Sequence, residues 1–128
     1  MTKQEAYDQI KAYFSRPNAV LARVEEIDEE GNLFTGECFY MDDNGNKCAV
    51  GCLIPEDLYD MNMENKSVDS LIDEDYGLEE FFGKENLDSS LFRFLSDAQN
   101  LHDHKSTKNV SHFLEKLEVL AEDCEILI

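Results

Sequence analysis

Positive charge is scarce in this sequence. Eleven Lys and Arg stand against 29 Asp and Glu in 128 residues, a formal net charge of −18. Neutralising the phosphates of a nucleic acid takes basic residues, so direct nucleic-acid binding is excluded, as is binding to an anionic membrane surface. Long apolar runs are missing, which removes a membrane-spanning helix. The start, Met1 to Phe14, is amphipathic and carries acids. It has neither the basic opening nor the continuous apolar stretch of a secretory signal, so the expectation is a cytoplasmic protein. Glycine-rich phosphate loops, internal repeats and low-complexity tracts are likewise absent.

What the charge favours is a basic surface on another macromolecule. Nucleic-acid-binding proteins, whose grooves normally hold phosphate, are the obvious class. A solvated surface selected for solubility or salt tolerance has the same composition. Hydrophobic residues at 42%, with eight Phe and five Tyr, supply enough apolar surface for one core. The expectation is one domain over 1–128.

Thr2-Lys3-Gln4-Glu5 has the pattern of a capping box, followed by Tyr7, Ile10, Tyr13 and Phe14 at helical spacing and a stop before Pro17. Ala19 to Ile27 suits a strand or a short helix, and Glu29 to Asn32 a turn. Leu33 to Met41 reads as a strand. Asp42-Asp43-Asn44-Gly45-Asn46 is a hairpin turn signal, with Lys47 to Ile54 as the returning segment. It resembles a calcium loop only superficially, because the required Gly and Glu positions are not there. A short helix is expected around Val68 to Ile72. The clearest helix is expected from Asn86 to Lys105, with Leu91, Leu95, Ala98 and His102 on one side. A last helix, capped by Ser106 or Thr107, places Val110, Phe113, Leu114, Leu117, Ala121 and Cys124 on one face. The resulting expectation is an α+β fold: a small antiparallel β-hairpin or sheet packed on a C-terminal antiparallel helix pair, with an N-terminal helix alongside.

Three of the four cysteines, Cys38, Cys48 and Cys52, cluster around the Asn-Gly turn. In a reducing cytosol such cysteines are more often free thiols or metal ligands than disulfides. A tetrahedral Zn2+ site takes four such ligands, and the fourth candidate is His102, which lies within the apolar stripe of its helix. His104 and His112 fall on other faces. In a straight strand Cys48 and Cys52 would stand roughly 13 Å apart at ~3.3 Å per residue. Lys47 to Cys52 must therefore curl, at Gly51. Other readings stay open: buried apolar thiols, a Cys38–Cys48 disulfide, and a core histidine bonded to a carbonyl. Cys124 fits the core. Cys48 or Cys52 with His102 and Asp103 has the composition of a thiol hydrolase set, but a nucleophilic cysteine needs an electropositive setting.

The stretch Lys47-Cys48-Ala49-Val50-Gly51-Cys52-Leu53-Ile54-Pro55-Glu56-Asp57-Leu58-Tyr59, with Ala98-Gln99-Asn100-Leu101-His102-Asp103 downstream, resembles a family of small phage and prophage proteins. That family carries Cys-Ala-Ile/Val-Gly-Cys/His-Leu-Ile-Pro-Asp/Glu-x-x-Tyr and later Gln-x-x-His-Asp. The resemblance covers about half of the chain. It implies Cys38, Cys48, Cys52 and His102 as metal ligands, since Cys and His alternate at the position of Cys52. The chain departs from the family in having Glu64-Asn65 where Glu-Gly is usual. Small acidic phage proteins include inhibitors of bacterial defence, some directed at RNA-guided CRISPR nucleases.

These readings converge on a phage-derived, anti-CRISPR-like inhibitor with a structural zinc, binding the basic channel of a CRISPR effector nuclease and blocking nucleic-acid loading. The expected contact residues are Glu25, Glu26, Asp28, Glu29, Glu30, Asp73, Glu74, Asp75, Glu79 and Glu80. The alternatives are a zinc- or thiol-dependent hydrolase, and a phage accessory factor that binds a host regulator.

Overall fold

Thr2 opens the first helix, α1 (Lys3–Phe14), through a reciprocal capping box: its hydroxyl accepts from the Glu5 N–H at 3.1 Å, and the Glu5 carboxylate accepts from the Thr2 N–H at 3.2 Å. The helix ends ahead of Pro17 and buries Ala6, Tyr7, Ile10 and Phe14, four positions of one helical face. The computed structural model describes residues 1–31, 33–73, 76–83, 89–104 and 106–127, with 24–26, 33–37, 69, 73 and 89 described as backbone only.

After α1 come β1 (Arg23–Ile27) and β2 (Leu33–Cys38), paired antiparallel with Arg23 opposite Cys38 and Ile27 opposite Leu33. Four helices follow: α2 (Val68–Asp73), α3 (Leu78–Phe82), α4 (Ser89–Asp103) and α5 (Val110–Asp123). The stripe foreseen for α4, Leu91, Leu95, Ala98 and His102, is buried together with Phe94; of the face foreseen for α5, Phe113, Leu117 and Ala121 are buried, and Val110, Leu114 and Cys124 are half-buried. α1 packs against both. Phe14 meets Phe113 at 4.8 Å between ring centroids and His102 at 6.0 Å, so three elements share one aromatic cluster. Each such ring pair contributes about 0.5–1.5 kcal/mol beyond its area burial. The N-cap of α5 is Asn109, whose side chain accepts from the His112 N–H at 2.9 Å, and not Ser106 or Thr107.

The α+β expectation is overturned. Among the described residues the fold is helical, with five α-helices carrying most of the buried apolar residues, and no β-hairpin at 33–41 and 47–54 packs on the C-terminal helix pair. The Asp42–Asn46 turn does form, with the Asp42 N–H donating to the Asn46 carbonyl at 2.8 Å, but a single Met41–Lys47 bridge flanks it. The segment beyond Lys47 coils instead. The Cys52 N–H donates to the Cys48 carbonyl at 3.0 Å, and Gly51–Leu53 is a 3-10 turn. A short continuous apolar run has the same pattern in a buried strand and a buried turn, and only length and flanking residues separate them. Here Gly51 and Pro55 decide for the turn. The strands that do pair are β1 and β2, a two-stranded ribbon whose turn is Asp28 to Gly31.

Candidate functional site

Gln99, His102 and Asp103 lie at i, i+3 and i+4 near the end of α4, a spacing that puts them side by side. The Gln99 amide nitrogen donates to both oxygens of Asp103, at 3.0 and 3.1 Å, while its oxygen accepts from the Val50 N–H at 3.0 Å. His102 is fully buried. Its Nε2 accepts from the Ala22 N–H at 3.0 Å, so its proton sits on Nδ1, 2.7 Å from Asp103 Oδ1. The Cys38 thiol also hydrogen-bonds Asp103. One carboxylate thus gathers three side chains, and through them the end of α4 is tied to the coiled turn at 48–53 and to the segments on either side of the ribbon.

Burial sets the state of the thiols. It pushes Cys38 up to about 12, with the Asp103 charge adding to the rise. Burial does the same to Cys52, to about 12, against the opposing pull of Lys47 and Arg16. Cys48 is wholly buried and raised well above the ordinary thiol value, although the Gly51 N–H donates to its sulfur at 3.3 Å. Cys52 turns to its own loop and donates to the Ala49 carbonyl at 3.1 Å. Cys124 sits beyond the end of α5 as a half-buried core thiol.

The four expected metal ligands therefore divide. Cys38 and His102 meet at Asp103, and Cys48 lies beside them with Gln99 hydrogen-bonded to its sulfur. Cys52 is committed to Ala49. Both nitrogens of His102 are taken, by Ala22 and Asp103, and Asp103 is its orienting partner as a zinc site would require. Among the described residues no group of three or more His, Cys, Asp or Glu is arranged to hold a metal ion. A tetrahedral zinc on these four residues would need the Nε2 lone pair of His102, which accepts from the Ala22 N–H, and the Cys52 sulfur, which donates to Ala49, to turn from their present partners. The same facts bear on the thiol hydrolase. A base must take the thiol proton, and both nitrogens of His102, the imidazole nearest Cys38 through Asp103, are engaged by Ala22 and Asp103.

A second carboxylate does comparable work nearby. Glu64 accepts from the Tyr40 N–H at 2.9 Å, the Met41 N–H at 3.2 Å and the Tyr59 hydroxyl. Asn65 follows in the left-handed region, φ +65. Glycine takes that conformation without strain, and asparagine is among the few other residues that visit it routinely. Asn65 thus holds a backbone conformation that a glycine could also take. Opposite, Gly51 packs so closely on Tyr40 that a Cβ would stand 1.9 Å from its carbonyl oxygen.

Arg23, at the base of the ribbon, donates to the carbonyls of His102 at 2.7 Å, His104 at 2.8 Å and Thr107. A cation at a helix C-terminus satisfies orphan carbonyls and complements the helix dipole. Sequence reasoning missed Gln99, Glu64 and Arg23 as organising residues. The first stood inside the quoted Gln-x-x-His-Asp pattern; nothing in the sequence singled out the last.

Of the expected contact acids, Asp28, Glu29 and Glu30 are exposed around the ribbon turn, where Asp28 Oδ1 accepts from the Glu30 N–H at 2.9 Å. Glu79 and Glu80 are exposed on the first turn of α3. Glu74 and Asp75, and the side chains of Glu25, Glu26 and Asp73, lie outside the described residues. Among the described residues no helix is long and apolar enough to cross a membrane. Comparison with family models, curated proteins and solved structures finds no match to the chain.

Proposed function

We propose that the chain is a non-catalytic binding protein that occupies the nucleic-acid channel of a basic partner, and that this partner is a bacterial defence nuclease of the CRISPR effector class. The observation that carries the reading is the charge of −18 on 128 residues, with Asp28, Glu29 and Glu30 exposed at the turn of a ribbon. Such a surface speeds encounter with a basic groove and repels phosphate. The likeness to small phage proteins supplies the class of target, and the host cytoplasm is where such a target is met. Buried, protonated thiols and an imidazole with both nitrogens engaged favour binding over covalent chemistry.

Zinc on Cys38, Cys48, Cys52 and His102 is a separate proposal within the same reading. It requires His102 to release Ala22 or Asp103, and Cys52 to leave Ala49. Elemental analysis of protein purified without added metal decides it: near one equivalent supports the ion, and a trace sinks it.

The test of function is target-DNA loading by purified, guide-loaded CRISPR effectors, measured by gel shift with and without the protein. The expected result is loss of loading with at least one effector, relieved when Asp28→Lys, Glu29→Lys and Glu30→Lys are combined. Unchanged loading across effectors, or equal inhibition by the charge-reversed variant, would overturn it.

A further inference from the structure

We propose that the groove between α4 and α5 is a docking surface for a helix of the partner, one that carries an apolar stripe flanked by lysine or arginine. The proposal rests on the reading of the chain as a binder of basic proteins and names a surface for it.

α5 has two stripes. Phe113, Leu117 and Ala121 face the core and are buried. A second stripe, including Glu115, Val119, Leu120 and Asp123, recurs at i, i+4, i+5 and i+8 and lines an open groove of about 660 Å3 with Asp97 and Leu101 of α4. Val119 is 59% exposed in it, an apolar side chain left in water beside half-buried Leu101 and Leu120. On α5 the lining runs from His112 to Asp123, a length on the order of 16 Å at ~1.5 Å per residue. That is about three turns of a docked helix. A helix laid between two others seats its side-chain ridge in their shared furrow, and recognition of this kind reads anchors at i, i+3, i+4 and i+7.

Charge selects the occupant. Asp97, Glu115 and Asp123 rim the groove. Arg93 approaches Asp97 at a long 3.9 Å, with the Arg93 side chain well exposed and that of Asp97 less so. Lys116, the cation of the lining, is drawn toward the α4–α5 connection, donating to Ser106 Oγ at 2.8 Å and Thr107 Oγ1 at 3.3 Å. The rim is therefore acidic, on a body of −18. A second copy of the chain would bring the same charge and the same three acids to the contact, so self-pairing here is opposed by Coulomb repulsion. A basic helix is favoured by both terms.

The probe is a fluorescein-labelled 15-residue helical peptide with leucine at i, i+4, i+7 and i+11 and lysine at the flanking positions. Its counterparts are the same stripe flanked by glutamate, and a scramble of the leucine–lysine composition. Anisotropy in 150 mM salt is expected to show the leucine–lysine helix binding at least about tenfold tighter than either counterpart. Val119→Arg, at an exposed position, is expected to weaken it by about tenfold, the ratio that corresponds to about 1.4 kcal/mol. Glu115→Lys with Asp123→Lys, also exposed, is expected to do the same and serves if Val119→Arg unfolds.

Equal binding by the scramble, or no effect of either groove variant, overturns the proposal. A wild-type dimer in sedimentation that Val119→Arg dissociates also overturns it, by making a second copy the occupant. If instead the triple reversal at Asp28, Glu29 and Glu30 abolishes peptide binding while the groove variants do not, the groove fails and the acidic-binder reading stands. If no lysine-bearing peptide binds at all, both fail.

Discussion

Gly51→Ala adds one methyl group where two backbones touch. A Cβ at Gly51 stands 1.9 Å from the Tyr40 carbonyl oxygen and 2.8 Å from its carbon. Carbon and oxygen without a shared bond settle at about 3.3 Å or more, so one segment must retreat by more than an ångström. Neither gives way easily. The Tyr40 N–H is held by Glu64 at 2.9 Å, and the Tyr40 hydroxyl donates to the Lys66 carbonyl at 2.6 Å. On the other side, Val50 donates to Gln99 at 3.0 Å and Gly51 to Cys48 at 3.3 Å. Overpacking a core by a methylene costs about 1–3 kcal/mol, and backbone against backbone belongs at the top of that range. The entropy that alanine removes from the unfolded chain returns less than about 1 kcal/mol. The expected loss is about 2–3 kcal/mol, or on the order of 10 °C in Tm for a domain of this size. Thermal melts by circular dichroism, with urea midpoints as a second measure, check it. A variant melting within about 2 °C of the parent would show that 40 and 51 do not abut, and the packing of the coiled turn described here would be wrong.

His102→Ala strands the Ala22 N–H without its acceptor and opens a cavity between Phe14 and Phe113; a loss of about 3 kcal/mol is expected from urea unfolding, and an unchanged midpoint would deny the buried bond. Asn65→Gly should lie within about 0.5 kcal/mol of the parent, whereas Asn65→Val, forced to positive φ, should lose about 1–2 kcal/mol; equal stability of the two would remove the left-handed turn at φ +65. Folding raises the thiols of Cys38 and Cys52 from 9.0 to about 12, mainly by burial, and raises Cys48 in the same direction. The folded chain thus keeps protons that the unfolded chain releases, so this stabilisation is whole below pH 9 and disappears as pH rises toward 12. Melting temperatures that stay level from pH 9 to 11 would contradict it.

The helices were legible because their signals are local. The box at Thr2 and Glu5, the stop before Pro17 and the stripe from Leu91 to His102 each need only neighbours in sequence. The inward face of His102 was legible for the same reason. What it meets there was not, since Ala22 lies 80 positions away and offers a backbone N–H that any residue type but proline would offer. The turn at 48–53 was misread as a returning strand because a buried apolar run carries no period. The curl demanded by the Cys48–Cys52 spacing was nonetheless correct, and the Cys48–Cys52 backbone bond at 3.0 Å closes it. Gly51 was expected to matter for its flexibility, yet it matters for its missing side chain. The stretches from Lys47 to Tyr59 and from Ala98 to Asp103 converge at Val50 and Gln99. Side-chain hydrogen bonds join them, and spacing does not encode such bonds.

The guanidinium of Arg23 makes the ribbon and the last turn of α4 mechanically one piece. Any molecule that levers the strands outward must first strip the carbonyls of His102, His104 and Thr107 of their shared donor. The strain of engagement at the ribbon would then surface as fraying where the helix finishes, beside Asp103. Amide exchange at 102–107 becomes a strain gauge for events at the strands.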